Sequence, residues 1–451
     1  MVIGKSLAKD GKTSVAEIQP FRGLRYNQSL VGDLAALICP PYDIISLQMQ
    51  QELYHRSEYN FVRIEFAREL PQDTAVESKY TRAATTLEKW LEQGVLKADE
   101  EPALYLHDHY FTYQGKEHKR RSMVAAVKLE EWDRMVIRPH EGTLARPKSD
   151  RVSMLWACQA NTSSIMALYE DREQTISSVL SAEEKKETVI SIDDAGGEGH
   201  RVWAITEPEA TGQVCRSLAR EPFYIADGHH RYESALTYQR ERRACSPSAS
   251  ADEAYNFVMM TLIDFADPGL IVLPPHRLVR GMSRASLEGL AAKLESFFDV
   301  EDWSTSKPGV WQQVDDILSG EDGQSRLVIF GLVPERLLVL RLRDRAMASQ
   351  MMPYFHSELY KGLMVSVVDH IILERVLAVD GEREEAVLGY SYDREDAVNR
   401  VLDQEYQLAM LLSPIEAEVV KAVADASDRM PRKSTYFYPK APAGLVFRRL
   451  V

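Results

Sequence analysis

The chain has 451 residues, more than a single hydrophobic core usually organises, so its length favours two or three domains. Apolar residues make up 45% of the sequence and charged residues 27%, as in ordinary globular proteins. The formal net charge of −14 argues against nonspecific binding of nucleic acid duplexes, which depends on many lysine and arginine contacts with phosphates. Composition therefore favours an acidic globular protein with more than one domain.

Cysteine usage and hydropathy indicate the compartment. The four cysteines are far apart and form no C-x-x-C pair, which favours a reducing environment and argues against a zinc ribbon. No apolar run approaches the roughly 20 residues that a membrane helix needs. The first residues, Met1 to Lys5, lack the apolar core of a signal peptide. We therefore expect a cytoplasmic protein without membrane contact.

The N-terminal third is predicted to contain two helices and a hairpin. Ser46 offers an N-cap for a helix over residues 47–55, and a stronger helix is expected from Thr74 to Gln93. The apolar runs at 104–106 and 123–127 flank a polar turn at 114–116, which predicts a β-hairpin. The following run, 138–151, is irregular and polar, and loops of this kind tend to be functional or disordered.

A second hairpin is expected where apolar runs at 189–192 and 202–205 bracket a glycine-rich turn. The glycine spacing matches neither a dinucleotide fingerprint nor a Walker loop, so a plain turn is the favoured interpretation. Beyond about Ser283, helices and strands alternate over 287–297, 327–330, 337–342, 367–379 and 393–402. Ser413 to Glu416 predicts a capping box with proline at the first helical position, opening a helix to about Ala426.

The most informative segment is Asp227-Gly228-His229-His230-Arg231, which lies where a short apolar strand gives way to a helix. A strand-glycine-helix junction directs backbone N–H groups and the positive end of the helix dipole at one spot, which favours an anion. Gly228 would let the backbone approach a phosphate, and Arg231 would grip its oxygens. Asp227 would hold Mg²⁺ or orient a histidine, and His229 or His230 would move a proton. The alternative is that Asp227 caps the helix while the histidines pack or face solvent.

Two other segments carry candidate acid and base groups. His140 and Glu141 lie in the irregular run together with Arg151, a candidate phosphate ligand. The His-Glu pair would act as acid and base or as metal ligands, and a solvated polar loop is the alternative. Pro40-Pro41-Tyr42-Asp43 is a stiff loop in which Asp43 would accept a substrate proton or else cap the next helix.

Lys433, Ser434 and Thr435 resemble the lysine-hydroxyl end of a phosphate-binding loop. The preceding glycines are missing, so this is not a Walker loop. A turn that offers an ammonium group, two hydroxyls and a further lysine, Lys440, would still bind an anion, while the run 436–438 would form a strand. An ordinary surface turn is the equal alternative.

The run His107-Asp108-His109 places two histidines two residues apart on a predicted strand. Such spacing puts both imidazoles on one face, as some metal sites require. No further ligand is apparent in the sequence, so a metal at this position is the less favoured interpretation.

Several of these segments together resemble the bacterial and archaeal "domain of unknown function 1015" family. The resemblance spans nearly the whole chain and keeps the order of the family's blocks. The segments that carry it are Pro20-Phe21-Arg22-Gly23, Pro40-Pro41-Tyr42-Asp43, His140-Glu141-x-Thr143, Ala226-Asp227-Gly228-His229-His230-Arg231-Tyr232 and Met430-Pro-x-Lys433-Ser434-Thr435-Tyr-Phe-Tyr-Pro-Lys440.

At the level of a superfamily, the Gly-x-x-Arg turn at the head of a helix is similar to the phosphate-binding motif of the ParB/sulfiredoxin-like fold, whose members bind nucleotides and include a kinase of free serine. This resemblance implies that Gly228, His230 and Arg231 contact nucleotide phosphates. It also implies an N-terminal carboxylate that deprotonates the acceptor hydroxyl, for which Asp43 and Glu65 are the candidates.

The expected fold is mixed α/β of the α+β type, with a ParB/sulfiredoxin-like core and elaborated N- and C-terminal α/β regions. We expect residues 1–100 to contribute to the core, 101–265 to form the central region with the Asp-Gly-His-His-Arg motif, and 266–451 to form a C-terminal α/β domain with the Lys-Ser-Thr segment. Analogy of fold does not fix function.

The resulting functional hypothesis is a nucleotide-binding enzyme that performs Mg²⁺-dependent phosphoryl transfer from ATP or ADP to a small hydroxyl-bearing metabolite. A phosphohydrolase and a nucleotide-sensing module without turnover are the alternatives. A DNA-associated, partition-like role follows only from the fold analogy, and the acidic balance weighs against it. The expected partners are a nucleotide and a small-molecule substrate, and a homodimer is left open.

The candidate residues fall into three roles. The catalytic candidates are Asp227, His229, His230, Glu141, His140 and Asp43. The candidates for nucleotide or phosphate binding are Gly228, His230, Arg231, Lys433, Ser434, Thr435, Lys440 and Arg151. The candidate metal ligand is Asp227.

Overall fold

The computed structural model describes residues 16–74, 76–143, 145–194, 196–319, 326–379 and 383–451. The described chain divides into two compact units. The first unit comprises the described residues up to Arg138 together with Arg146–Ala266 and Ala441–Val451, and the second comprises Pro139–Ala145 and Asp267–Lys440. Among the described residues from 16 to 265, all but those of 139–145 lie in the first unit.

The strands of the described residues are short to medium in length. In chain order they are β1 (Ile18–Gln19), β2 (Leu24–Tyr26), β3 (Leu96–Ala98), β4 (Leu104–Tyr113), β5 (Lys116–Lys128), β6 (Ile137–Arg138), β7 (Ala160–Asn161), β8 (Ile165–Tyr169), β9 (Ile190–Asp193), β10 (Gly199–Ile205), β11 (Phe223–Asp227), β12 (Phe257–Asp264), β13 (Ile271–Leu273), β14 (His276–Val279), β15 (Phe298–Ser304), β16 (Arg326–Phe330), β17 (Arg336–Leu342), β18 (Leu388–Ser391), β19 (Leu408–Leu411), β20 (Tyr436–Tyr438) and β21 (Arg448–Arg449).

The α-helices follow the same order. They are α1 (Leu47–Arg56), α2 (Val62–Glu65), α3 (Lys79–Glu92), α4 (Ala145–Cys158), α5 (Thr175–Glu183), α6 (Pro208–Leu218), α7 (His229–Cys245), α8 (Arg284–Glu288), α9 (Leu290–Leu294), α10 (Val310–Leu318), α11 (Arg345–Gln350), α12 (Glu358–Gly362), α13 (Met364–Val367), α14 (Glu384–Val387), α15 (Arg394–Leu402) and α16 (Ala417–Asp425). A π-helical segment, Val368–Val376, continues α13, and 3₁₀ turns occur at Leu34–Ala36, Tyr42–Ile44, Trp132–Arg134 and Ala254–Asn256.

A mixed sheet forms the centre of the first unit. Its described strands follow the order β6-β11-β8-β12-β5-β4-β10-β9, and β1 also pairs with β5. Successive residues of β5 alternate between two separate hydrophobic clusters, with Val124 in one and Met123 and Ala125 in the other. Because side chains along a strand alternate between the two faces, the sheet is covered on both. This explains why β5 and β12 contain continuous apolar runs.

An antiparallel sheet forms the centre of the second unit, with the strand order β15-β17-β16-β19-β14-β18. Leu327 and Ile329 of β16 belong to one hydrophobic cluster, and Val328 and Phe330 belong to another. This sheet is therefore also buried on both faces. The expected mixed α/β class is confirmed.

Several predicted elements are confirmed. The first expected hairpin is β4 and β5, which pair antiparallel through the turn after Tyr113, and the second is β9 and β10. Ser46 caps α1, since its hydroxyl accepts a hydrogen bond of 3.1 Å from the Met49 backbone N–H. Local pattern and cap chemistry are sufficient at these positions.

Three predicted boundaries are wrong. The long N-terminal helix α3 begins at Lys79 rather than near Thr74, because Ser78 and Thr81 form a capping box there. The polar run 138–151 is not irregular throughout, since α4 begins within it. The expected capping box at Ser413 does not form, because Glu416 occupies the N-cap position of α16 and gives no side-chain cap bond.

Two helices predicted beyond Ser283 are interrupted. The segment expected over 287–297 forms the two short helices α8 and α9, which meet at Gly289. The segment expected over 367–379 is largely π-helical, with a wider turn than the periodicity of an α-helix predicts.

Candidate functional site

The strand-to-helix junction of the first unit joins β11 to α7 through Gly228. This glycine has φ +94°, and it occupies the N-cap of α7 without a side-chain cap bond. A Cβ at this position would lie 2.9 Å from Nε of Arg231. Glycine is therefore required twice here, for the left-handed backbone and for the close approach of the arginine.

Arg231 lies in the first turn of α7, and its guanidinium points back towards the junction. It forms an ion pair with Asp227 at the end of β11 and donates a hydrogen bond to the carbonyl oxygen of Ser164. Ser164 is near because β11 runs antiparallel to β8, which starts at the next residue. Burial opposes the charge of Arg231, but the carboxylates of Asp227 and Asp43 outweigh it and raise the pKa of the guanidinium.

A small cleft with a cavity volume of about 40 Å³ lies beside Arg231. Its lining combines two arginines and two hydroxyl side chains with an apolar wall. The lining residues are Arg151, Met154, Leu155, Ala160, Asn161, Thr162, Ser163, Ile165, Arg231 and Val258. The guanidinium of Arg231 is thus paired internally and still borders a cavity within the first unit.

Glu65, at the end of α2, organises one side of this region. Its side chain is fully buried and accepts hydrogen bonds from the hydroxyls of Thr162 and Ser163, the latter at 2.8 Å. The backbone N–H of Tyr42 donates to the same carboxylate at 3.2 Å. A buried carboxylate needs several such donors, and here they tie it to the hydroxyls of the cleft.

Arg151, from α4, contacts the same group. It donates to the carbonyl oxygen of Glu65 at 3.3 Å and also binds the Asp150 carboxylate. Its guanidinium carbon lies 3.8 Å from the centre of the Tyr42 ring. Burial raises the pKa of Tyr42 to about 12, so the phenol stays protonated at neutral pH.

The remaining candidates of the first unit surround the junction. His229 is buried and His230 is half-buried at the start of α7. Asp43 is exposed within the 3₁₀ turn Tyr42–Ile44, and its charge acts on Arg231. The structure therefore brings together Asp43, Arg151 and the Asp-Gly-His-His-Arg segment, which sequence reasoning singled out separately.

The second unit brings together two other candidate groups that lie far apart in the chain. One ring nitrogen, Nε2 of His140, is 2.9 Å from the Thr435 hydroxyl oxygen, and the backbone N–H of Lys433 donates to the Glu141 carboxylate at 2.9 Å. A hydrogen bond from the Met430 N–H to the His140 carbonyl oxygen, 2.7 Å long, fixes this pairing. The His-Glu pair and the Lys-Ser-Thr segment thus form a single cluster.

The hydroxyl and ammonium groups of that cluster differ in their surroundings. Lys433 is exposed, with φ +57°, whereas Ser434 is buried and donates its hydroxyl to the Pro431 carbonyl oxygen. The ammonium group of Lys440 lies 4.6 Å from the centre of the Tyr436 ring. Lys433 is therefore the member of this segment that is most accessible to a ligand.

Sequence reasoning missed several residues that organise these sites. Thr162 and Ser163 sit directly before β8, and Arg277 in the second unit donates to the carbonyl oxygens of Lys433 and Arg432. The polar run before a buried strand was a usable signal for the first two. Arg277 gave no local signal for this contact, because Lys433 and Arg432 lie more than a hundred residues away in the chain.

The chain matches the sequence profile of one protein family. The sequence profile described as "Protein of unknown function (DUF1015)" matches residues 18–363, more than half of the chain. The chain belongs to the DUF1015 family. The resemblance inferred from the motifs is thereby confirmed. No curated protein matches this DUF1015 chain.

Solved structures similar to the DUF1015 chain share little sequence with it. A conserved hypothetical protein from Pyrococcus furiosus is 14% identical over 72% of this chain and 95% of its own, with a TM-score of 0.33. A free serine kinase in complex with AMP is 12% identical over 71% and 89%, with a TM-score of 0.34. SbnI with a C-terminal truncation, from Staphylococcus aureus, is 10% identical over 70% and 84%, with a TM-score of 0.33. At these values the likenesses assign no role to a residue of the DUF1015 chain.

Within the part of the DUF1015 chain that the structure describes, the helices are too short or too polar to cross a bilayer.

Proposed function

We propose that the cleft of the first unit binds nucleotide phosphates and transfers a phosphoryl group to a small hydroxyl-bearing metabolite, with Mg²⁺. The observation that carries this proposal is the lining of the cleft: Arg151 and Arg231 border one cavity together with the hydroxyls of Thr162 and Ser163. Phosphoryl transfer consists mostly of positioning and charge neutralisation, which two fixed guanidiniums supply.

Arg231 and the start of α7 are the proposed phosphate site. The N-terminus of a helix offers backbone N–H groups and a partial positive charge to an anion. Gly228 exposes this end of α7, since it caps the helix without a side-chain bond. Arg151 is the second proposed phosphate ligand, and its contact with the Tyr42 ring holds it in place.

Asp43 is the proposed general base. Its carboxylate is exposed and its charge acts on Arg231, and both observations support this role. Glu65 is the less suitable base, because both of its oxygens already accept hydrogen bonds from Tyr42, Thr162 and Ser163. We assign to Glu65 the role of holding those hydroxyls in position.

Asp227 is the proposed Mg²⁺ ligand. Mg²⁺ is commonly held by one or two carboxylates together with substrate phosphates and waters, and Asp227 presents a carboxylate at the junction itself. When bound, the ion would neutralise charge on the transferring phosphate. His229 and His230 follow at the start of α7, and we propose that His230, the more accessible of the two, carries a proton during turnover.

We propose a separate anion-binding role for the cluster of the second unit. Lys433, Thr435 and His140, with Glu141 and Lys440 nearby in the chain, form a polar group that suits an anionic ligand. Ser434 is the least suitable member, since its buried hydroxyl is already engaged.

One experiment separates the proposed kinase from its alternatives. The full chain is titrated calorimetrically with ATP and ADP, with and without Mg²⁺, and is then incubated with ATP and a panel of small hydroxyl-bearing metabolites. ADP formation that depends on an acceptor supports the kinase, and phosphate release without an acceptor indicates a phosphohydrolase. Binding without either product indicates a sensor, and no nucleotide binding at all refutes the proposal.

A further inference from the structure

A second group of titratable side chains lies in the first unit, between β4 and the hairpin β9–β10. His109 of β4 is directly opposite His200 of β10 in the antiparallel register, so both rings lie on the same face, with centroids 4.3 Å apart. Glu198 immediately precedes β10, and its carboxylate oxygen is 3.0 Å from Nε2 of His109. One nitrogen or oxygen from each of these residues lies within 4.8 Å of the other two.

Both histidines are enclosed, while the carboxylate reaches solvent. His109 is 1% exposed and His200 is 2% exposed, whereas the Glu198 side chain is 38% exposed. The partly exposed carboxylate of Glu198 leaves a path by which an ion can reach the two buried imidazoles.

His107 supports this arrangement from the position two residues before His109 on β4. Nε2 of His107 is 3.1 Å from Nδ1 of His200. Because this contact engages Nδ1 of His200, the nitrogen that His200 offers to a ligand is its Nε2. Metal-binding histidines commonly use their second ring nitrogen in this way, which fixes the tautomer and the ring orientation. The two-residue spacing of His107 and His109 thus provides one ligand and one residue that orients another.

The charges around the group are mixed. Arg120 lies 3.3 Å from Nδ1 of His109, and its positive charge opposes a cation. The carboxylates of Glu198 and Asp194 supply negative charge that opposes this effect. Asp194 also accepts the backbone N–H of Glu198 at 2.8 Å, which holds the turn that carries the carboxylate.

We propose that His109, Glu198 and His200 bind one divalent transition-metal ion, for which zinc is the best match. Two imidazole nitrogens and one carboxylate oxygen suit zinc, which takes three protein ligands and leaves one position for water or another ligand. Mg²⁺ and Ca²⁺ prefer sites made of oxygen ligands. This site is separate from Asp227 and does not depend on the proposed kinase activity.

The ion would join the hairpin β9–β10 to β4 and fix the orientation of His107. This matters for the first unit because His107 also lines a second cavity, together with Thr261 and the hydroxyl residues Thr162 and Ser163 of the proposed nucleotide cleft. A metal bound to His200 would therefore fix the orientation of the His107 imidazole in the wall of that cavity.

The test uses the tag-free full chain, stripped with a chelator, and titrates it with Zn²⁺ by calorimetry and with Co²⁺ by visible absorption. We expect saturable binding of one Zn²⁺ per chain, a Co²⁺ band typical of low coordination number, and no competition by Mg²⁺. Zn²⁺ should also raise the melting temperature of the chain, because a ligand of the native state stabilises it.

Three variants and a control decide whether these residues are the ligands. Glu198→Gln and His200→Asn should weaken Zn²⁺ binding by more than the roughly 10–100-fold loss expected for His107→Gln, which changes only an orienting residue. His118→Gln replaces a half-buried histidine on the neighbouring strand β5 and should leave binding unchanged.

Melting curves without metal establish that each variant is folded. Glu198→Gln changes a partly exposed turn residue, so this variant still tests the proposal if a variant of a buried histidine does not fold. Absence of saturable binding would overturn the proposal. Unchanged affinity in Glu198→Gln would do the same, and would leave the three histidines as a hydrogen-bonded cluster only.

Discussion

The guanidinium of Arg231 is paired with the carboxylate of Asp227, four residues earlier at the end of β11, across the left-handed backbone of Gly228. A second hydrogen bond, to the Ser164 carbonyl oxygen, engages its other terminal nitrogen. A phosphate in the adjoining cleft would meet an arginine whose side chain is already ordered. Binding would then lose little further side-chain entropy, although the phosphate shares the guanidinium with Asp227.

Replacement of Arg231 tests the phosphate site. Arg231→Gln should weaken nucleotide binding by about 2–4 kcal/mol, because a charge-assisted, partly desolvated contact is lost. Arg231→Lys should lie between wild type and Arg231→Gln, since it keeps the charge and loses the planar fork. Calorimetry provides the affinities. Arg240→Gln is the matched control, as Arg240 is an exposed residue of the same helix that pairs with Glu131, and it should bind as the wild type does. Equal affinity in all four proteins would remove Arg231 from the site.

Gly228→Ala tests the backbone requirement of the junction. The change places a side chain at φ +94° and a Cβ 2.9 Å from Nε of Arg231, so we expect the free energy of unfolding to fall by about 1–3 kcal/mol. Nucleotide affinity should fall as well, because the arginine must move. Chemical denaturation measures the first effect. Gly32→Ala serves as the control, since a Cβ there has open space around it, and a loss of stability as large as that of Gly228→Ala would contradict the argument.

Asp43→Asn separates catalysis from binding. If Asp43 is the base, turnover should fall by about 10²–10⁴-fold, the usual contribution of a positioned proton acceptor. Nucleotide affinity should hold or rise, because a negative charge near the phosphate site is removed. Steady-state kinetics and calorimetry give the two quantities. Glu52→Gln changes an exposed acid on α1 and should have neither effect. A fall in affinity without a fall in turnover would assign Asp43 to binding instead.

His276 predicts how the second unit responds to acid. The imidazole is buried in β14 and its Nδ1 accepts the backbone N–H of Leu412 at 3.0 Å. Burial lowers its pKa from 6.5 to about 4, while Asp393 acts in the opposite direction and Arg277 and Arg394 reinforce the lowering. Between pH 6.5 and about 4, the His276 imidazole is protonated in the unfolded chain and neutral in the folded chain. The free energy of unfolding therefore falls as the pH drops through this range.

The full loss is about 3 kcal/mol, since each pKa unit corresponds to about 1.4 kcal/mol. His276→Asn keeps a hydrogen-bond acceptor for Leu412 and cannot titrate, so its stability should depend less steeply on pH over the same range. Urea unfolding followed at several pH values compares the two proteins. Identical slopes would show that His276 does not contribute to the acid sensitivity.

Elements with a local signature were predictable from the sequence. The hairpin of β4 and β5 combines apolar runs with a polar turn, and five consecutive residues indicate the strand-to-helix junction at Gly228. Helix boundaries that depend on competition between possible N-cap residues were not predictable from the sequence. Ser413 offers a good N-cap by its chemistry, yet α16 starts later, at Ala417 with Glu416 as the N-cap, and nothing local distinguishes the two positions.

The candidate site shows the same contrast between local contacts, which were predictable, and long-range contacts, which were not. Arg231 and Asp227 were predictable as neighbours, because a helical turn connects them. The contact of Glu65 with Thr162 and Ser163 joins residues almost a hundred positions apart, and the pairing of His140 with Thr435 spans nearly three hundred. Such pairings are set by sheet register and tertiary packing, which a single sequence does not encode in any local pattern.

The composition of the first unit has a consequence for biosynthesis. Its segment Ala441–Val451 supplies β21, which pairs with β7, and Phe447, whose ring centroid lies 5.0 Å from that of Phe61. Domains commonly fold in the order in which they leave the ribosome. Here the earlier-translated unit must wait for that late segment to emerge, so its nascent form carries an uncovered apolar surface while the second unit is being made, and it is during this interval that a chaperone would be most needed.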